Sequence, residues 1–302
     1  MPQRTIRIAT RRSRLAMWQA EHVKHLLEHR SSETNCELVP MDTSGDLNQD
    51  RSLRNIGGKG LFLKELEKAL LDDQADVAVH SMKDVPIQLD SGFSVQSIGN
   101  RGPAQDVLVG NTAIHQMSPE ATIGTSSSRR RALLAHVYKR HSTVEVRGNV
   151  ETRLRKLDEG EVEGLVLAAA GLERLGLEER VCAVLPKDVF IPAAGQGVLA
   201  VEYRKDQNEI RTLLEALIER DVEQAATSER YVAEFVGADC TGAFGAYCER
   251  YRDGFRLSAI VLSETGDRAI QSVTEHNDAF RAAELVGERL LKQGARELLL
   301  ES

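Results

Sequence analysis

The sequence has no long apolar run: the longest, Leu165 to Ala170, is far short of the ~20 residues a membrane helix needs. Its first residues, Met1-Pro-Gln-Arg-Thr-Ile-Arg-Ile, do not offer the roughly 7 to 15 apolar residues of a secretory leader. They turn directly into strand-like alternation, which predicts a cytoplasmic protein with no membrane partner. The four cysteines, Cys36, Cys182, Cys240 and Cys248, form no CxxC pair. That removes the zinc knuckle and the thioredoxin-type site and fits free thiols in a reducing compartment. There is no basic excess: 39 Lys and Arg face 46 Asp and Glu, a net charge of −7. A general nucleic-acid binder is therefore disfavoured, and any anion must be bound locally. Within the basic set lysine is scarce, 10 against 29 arginines, and guanidinium is the cation that pairs bidentately with carboxylate or phosphate.

Cofactor motifs are missing as well. Gly57-Gly-Lys-Gly60 does not meet the phosphate-loop pattern, because no Ser or Thr follows Lys59 to hold magnesium. Gly195-Gln-Gly197 lacks the third glycine of a dinucleotide fingerprint. No nucleotide is predicted. His22, His25 and His29 share a helical face, but Glu21 and Glu28 lie beside them and no Cys joins them, so they read as solvated surface and no metal is assigned.

What is present is a chain of 302 residues, 41% hydrophobic and 28% charged, long enough for two or three domains with real cores. Strand-like runs at 5–10, 36–41, 76–80, 94–98, 106–109, 122–124, 143–146, 164–168 and 198–203 alternate with helical patterns at 13–30, 60–72, 127–139, 149–158 and 207–218. This alternation predicts an α/β fold with parallel sheets covered on both faces. After Asp221 the texture changes to one helix (221–236), three strands (244–252, 255–263, 268–275) and a closing helix (279–294). Turn signals at Asp253-Gly254 and Thr265-Gly266-Asp267 predict antiparallel hairpins in a small α+β domain. The segment 42–60, with little apolar periodicity, reads as a flap over a site.

Three basic clusters stand at strand-to-helix junctions: Arg11-Arg12-Ser13-Arg14, Thr125-Ser-Ser-Ser-Arg129-Arg130-Arg131 and Arg147-Gly148-Asn149. Ligands of open α/β sheets bind at such carboxyl strand ends, where hydroxyls and helix-start N–H groups attract anions. The alternative reading of each cluster is a solvated charged face; three repeats at equivalent positions favour a polyanion site. His80-Ser-Met-Lys-Asp-Val-Pro86 follows another strand. It places Lys83 and Asp84 at a strand end, either as a carboxylate that stabilises developing positive charge or as a structural Lys–Asp pair in a turn.

Five segments together carry a family resemblance: Ile6-Arg-Ile-Ala-Thr-Arg-Arg-Ser-Arg-Leu-Ala16, His80-Ser-Met-Lys-Asp-Val-Pro86, Gly124-Thr-Ser-Ser-Ser-Arg-Arg130, Arg147-Gly-Asn-Val-Glu-Thr-Arg153 and Pro192-Ala-Ala-Gly-Gln-Gly197. The chain resembles the porphobilinogen deaminases, also called hydroxymethylbilane synthases, over nearly its whole length. The resemblance implies two lobes like type II periplasmic binding proteins with a cleft between them, plus a small C-terminal α+β domain with a three-stranded antiparallel sheet. Lobe 1 would be residues 1–101 and 198–218, lobe 2 residues 102–197, and the third domain residues 220–302. It also implies a transferase that joins four porphobilinogen units head to tail on a covalent dipyrromethane primer. Ammonia is lost, and hydroxymethylbilane goes on to a downstream tetrapyrrole enzyme. A monomer is implied.

The resemblance further implies roles. Asp84 would stabilise the azafulvenium cation, and Cys240 would carry the primer as a thioether. Ser81, Lys83, Thr125, Ser127, Arg129 and Arg130 would hold its carboxylates. Arg11, Ser13, Arg147, Arg153 and Arg174 would receive incoming or growing rings. The flap with Lys59, together with Phe62 and Gln196, completes the set. Around the anchor the sequence departs from the family: Gly237-Ala-Asp239-Cys240-Thr-Gly-Ala243-Phe244-Gly245 keeps only the Cys and the final Gly of the usual pattern. Cys248 reads as buried packing inside a strand. Two rival functions use similar lobes. A solute-binding protein predicts no anchoring thiol, and a ligand-responsive regulator predicts an added helix-turn-helix or a basic face.

Overall fold

The computed structural model describes residues 4–31, 33–43, 63–140, 142–239 and 242–301. They gather into two compact units, Met1–Arg101 with Val198–Glu223, and Gly102–Gly197 with Gln224–Ser302.

The first unit is built on β1 (Arg4–Arg11), α1 (Arg14–Arg30), β2 (Thr34–Met41), α2 (Lys64–Leu71), β3 (Val77–Ser81) and β4 (Phe93–Ile98). Its sheet has the order β2-β1-β3-β10-β4, where β10 (Leu199–Arg204) comes from much later in the chain. β1 runs parallel to β2 and β3, whereas β10 is antiparallel to both of its neighbours. The sheet is therefore mixed, not parallel as strand–helix alternation predicted. Alternation governs only strands joined by a helical crossover, and β10 enters by another route. Both faces are covered. Ile6, Ile8, Val77 and Val79 pack with Ala20, Val23 and Leu27 of α1 on one side, and Ala9 and Ala78 pack with Leu66, Ala69 and Leu70 of α2 on the other. That division is the period-2 alternation of strand side chains.

The second unit repeats the plan with β5 (Asp106–Gly110), β6 (Ile123–Gly124), α3 (Ser128–Tyr138), β7 (Thr143–Val144), α4 (Val150–Asp158), β8 (Gly164–Ala168), α5 (Ala169–Glu173) and β9 (Val181–Val184). The order is β7-β6-β8-β5-β9, and β5 is again antiparallel to its neighbours β8 and β9. Sequence patterning missed β9, a four-residue edge strand left half-exposed by its position. It also missed the short α5 and drew β7 too long. Val107, Val109, Leu165 and Leu167 face one core, and Leu108 and Val166 face the other.

The chain continues through α6 (Asn208–Glu215), shorter than the 207–218 pattern, and α7 (Arg220–Val236). β11 (Phe244–Tyr251), β12 (Gly254–Leu262) and β13 (Ala269–His276) then form an antiparallel sheet, followed by α8 (Ala279–Lys292) and α9 (Ala295–Leu300). Ile260 and Leu262 of β12 join the core of Leu133 and Phe190, so this sheet is packed into the second unit. No described helix is long and apolar enough to cross a membrane.

Candidate functional site

In the first unit β1 and β3 are parallel neighbours, so their carboxyl ends, Arg11 and Ser81, lie on one edge of the sheet. Ser13 caps α1: its Oγ accepts from the Ala16 N–H at 3.3 Å, while the buried Thr10 hydroxyl donates to the Ala16 carbonyl at 3.1 Å. These bonds fix the turn that carries Arg11 and Ser13. Arg12 pairs with Asp42 at 3.2 Å, but both side chains are 60% exposed, so water screens the pair.

The buried Gln19 of α1 donates to Ser81 Oγ at 2.7 Å, which leaves the Ser81 O–H proton to donate elsewhere. One residue earlier, His80 Nε2 lies 3.0 Å from Glu202 Oε2 of β10, both side chains buried. A single 3₁₀ turn, Met82–Asp84, follows. The Met82 N–H donates to the Val198 carbonyl at 2.9 Å and the Val85 N–H to Met82 at 3.1 Å. Met82 is buried, Lys83 half-buried and Asp84 exposed. A buried anchor on each side thus holds an exposed carboxylate in a short, rigid turn.

In the second unit Asp106, fully buried at the start of β5, gathers three partners. Arg129 Nη2 donates to its Oδ2 at 2.7 Å. Arg130 Nε and Nη2 reach its Oδ1 at 3.0 and 2.8 Å, and Gln196 Nε2 reaches the same oxygen at 3.0 Å. The arginines are pinned further, Arg129 Nη1 to the Ile191 carbonyl at 2.8 Å and Arg130 Nη1 to that of Val166 at 2.9 Å. Both are buried, 4% and 6% exposed. Burial pulls the Arg129 guanidinium below its ordinary pKa; Asp106 opposes the fall and Arg130 adds to it. Ser127 caps α3 by accepting from the Arg130 N–H at 3.4 Å, and the buried Thr125 Oγ1 accepts from the Ser127 N–H at 3.2 Å.

Next to Gln196, the Gly197 carbonyl accepts from Arg174 Nη2 at 2.7 Å, and burial lowers the Arg174 pKa to about 10, which still leaves it a cation at neutral pH. Gly197 has φ +88°, and a Cβ there would stand 2.4 Å from the Gly102 carbonyl oxygen, so only glycine fits. Arg147 clasps Glu145, with Nε to Oε1 at 2.8 Å, and Arg153 Nε donates to the Gly148 carbonyl at 2.8 Å.

The structure thus brings Ser81, Lys83 and Asp84 onto one turn, with Arg11 and Ser13 at the neighbouring strand end, and joins Arg129, Arg130 and Gln196 on one carboxylate. Arg147 and Arg153 flank a separate turn. Lys59, Phe62, the flap from residue 44 onward and Cys240 lie outside the described residues; Cys248 is buried in β11. Sequence reading missed Asp106 as a site component and Glu202 as the partner of His80. The available signal for Asp106 was an acid opening an apolar strand, Asp-Val-Leu-Val, beside a chain rich in arginine.

The fold is an α/β protein of two compact units, with hydroxyls and arginines standing at strand-to-helix junctions in each. The sequence profile "Porphobilinogen deaminase, dipyromethane cofactor binding domain" matches residues 6–212. The chain is 41% identical over 300 residues to the porphobilinogen deaminases of Bordetella parapertussis and Bordetella bronchiseptica, covering 97% of this chain and 95% of each relative. A looser likeness links it to the periplasmic aliphatic sulphonate binding protein SsuA of Escherichia coli, with TM-score 0.43, 13% identity, 78% of this chain and 70% of that one. The chain belongs to the porphobilinogen deaminase family. It is a transferase of tetrapyrrole biosynthesis that condenses four porphobilinogen molecules on a covalent dipyrromethane cofactor, releasing ammonia and hydroxymethylbilane.

Proposed function

We propose that Asp84 is the catalytic carboxylate of this condensation and that Cys240 anchors the cofactor. The observation that carries the reading is the exposed Asp84 on a turn tied down by Met82, Val85 and Ser81. A fixed carboxylate needs no reorganisation when the cation forms on porphobilinogen as ammonia leaves. The residues at hand suit a dipyrromethane, which bears four carboxylates. Two buried guanidiniums share one carboxylate, a formal surplus of one positive charge out of water, and further carboxylate is what such a surplus attracts. Ser81, Lys83, Thr125, Ser127, Arg129 and Arg130 hold these groups, with Gln196 behind them. The bound cofactor supplies the nucleophilic pyrrole carbon on which the chain grows.

Arg11, Ser13, Arg147, Arg153 and Arg174 take the acetates and propionates of incoming rings, the flap with Lys59 closes over them, and Phe62 is a further candidate. The domains run 1–101 with 198–218, 102–197, and 220–302, the last bearing Cys240. The enzyme works as a cytoplasmic monomer and hands its product to a downstream tetrapyrrole enzyme.

Two variants of one residue separate charge from hydrogen bonding. Asp84→Glu keeps the carboxylate one methylene away and retains weak turnover; Asp84→Asn keeps an acceptor without charge and slows ammonia release by ~100-fold or more, since about 1 Å of misplacement already costs that much. Single-turnover ammonia release with intact mass reads both, and an Asn enzyme as fast as the parent would return Asp84 to a structural role. Cys240→Ser is expected to lack the cofactor mass while Cys36→Ser, Cys182→Ser and Cys248→Ser retain it. An adduct on Cys240→Ser would move the anchor elsewhere.

A further inference from the structure

We propose that Asp106 is a positioning residue for cofactor loading, aiming Arg129 and Arg130 and itself held by Gln196. The inference rests on the assignment of those two arginines to the cofactor. Asp106 touches neither the reacting atoms nor, in this role, the cofactor; it acts through its partners.

The geometry argues for aiming rather than for charge balance alone. The two carboxylate oxygens divide the arginines, Oδ2 taking Arg129 and Oδ1 taking Arg130, so each guanidinium plane is set separately. Each plane is also fixed at a second point by a backbone carbonyl of a different segment, Ile191 or Val166. A buried guanidinium held at two or three donors has no rotamer freedom left to lose when a carboxylate arrives, which is what preorganisation means for a binding group.

The carboxylate is in turn locked. Gln196 Nε2 bonds both Asp106 Oδ1 and, at 2.6 Å, the Ala104 carbonyl. The loop carrying Gln196 is held from the C-terminal sheet: buried Glu229 of α7 accepts the Gly195 N–H at 2.6 Å with Oε2 and the Cys248 N–H of β11 at 2.7 Å with Oε1. A chain of buried bonds therefore runs from β11 through Glu229, Gly195, Gln196 and Asp106 to both arginines. β11 begins at Phe244, four residues after Cys240 in sequence.

The test compares Asp106→Glu, Gln196→Met, Arg129→Leu and Arg130→Leu in the full-length protein. It follows the fraction carrying cofactor mass against time after porphobilinogen is added to unprimed protein, with a melting curve on each preparation. A residue that only neutralised charge would be replaced by Glu. A residue that aims the arginines is not, and folded Asp106→Glu is expected to load about 100-fold more slowly. Gln196→Met leaves every charge in place and is expected to load about 2- to 10-fold more slowly, the worth of one buried hydrogen bond. If Arg129→Leu and Arg130→Leu load at the parent rate, the assignment of the arginines fails and this inference fails with it. If the arginine variants do not load while Asp106→Glu and Gln196→Met load like the parent, positioning by Asp106 alone is overturned. Should Asp106→Glu not fold, Gln196→Met decides by the same criterion.

Discussion

The starts of α1 and α3 look alike in sequence and differ in the folded chain. Each follows a strand, each is capped by a serine, Ser13 or Ser127, and each sets arginines beside the cap. At α1 the pair is Arg12 with Asp42, 60% exposed on both sides. At α3 Arg129 and Arg130 meet Asp106, none of the three more than 6% exposed. One motif thus serves two electrostatic regimes, since a charge pair in water is weak and the same pair out of water is strong when complete and costly when broken.

Breaking the carboxylate at each start sharpens that contrast most. Asp106→Ala, which strands two buried guanidiniums, is expected to cost about 3 to 5 kcal/mol in urea unfolding, against about 0 to 1 kcal/mol for Asp42→Ala. Comparable losses would mean that water reaches Asp106. Next in size are the arginines themselves. Arg129→Leu and Arg130→Leu are expected to impair cofactor assembly, losing about 1.5 to 3 kcal/mol of charge-assisted binding, or roughly tenfold and more in occupancy. Arg11→Leu and Arg147→Leu are expected to give a primed enzyme that stalls in elongation. Intact mass after a limited pulse of porphobilinogen distinguishes the two, and normal elongation in Arg147→Leu removes that residue from the site.

The caps should differ least. Ser13→Ala and Ser127→Ala each remove one acceptor from a helix start and are expected to cost about 0.5 to 2 kcal/mol in thermal unfolding, similar at both ends. Only Ser127→Ala should also slow cofactor loading. Loading unchanged in that variant would confine Ser127 to capping.

Much of the scaffold was legible because its signals are local. The unbroken apolar runs in Asp106-Val-Leu-Val and Gly164-Leu-Val-Leu mark strands buried on both faces, and Asp253-Gly254 marks the β11–β12 hairpin. The mixed sheets were not legible. Whether β10 pairs parallel or antiparallel depends on how a distant segment enters the sheet, and nothing within Leu199–Arg204 encodes that direction. The short edge strand β9 was missed for a related reason: four half-exposed residues carry too little periodicity to stand out.

For the site, the sequence by itself determined which residue types stand at the strand ends: the hydroxyls of Ser13, Thr125 and Ser127, the arginine clusters, and the Lys83-Asp84 turn. It did so because caps and strand-to-helix junctions are written within a few residues. Tertiary structure alone decided which charges leave water and what they meet there. Asp106 lies 23 and 24 positions from its arginines and 90 from Gln196, and His80 lies 122 from Glu202. A buried charge is tolerated only with its partner in place, and that partner is supplied by the fold.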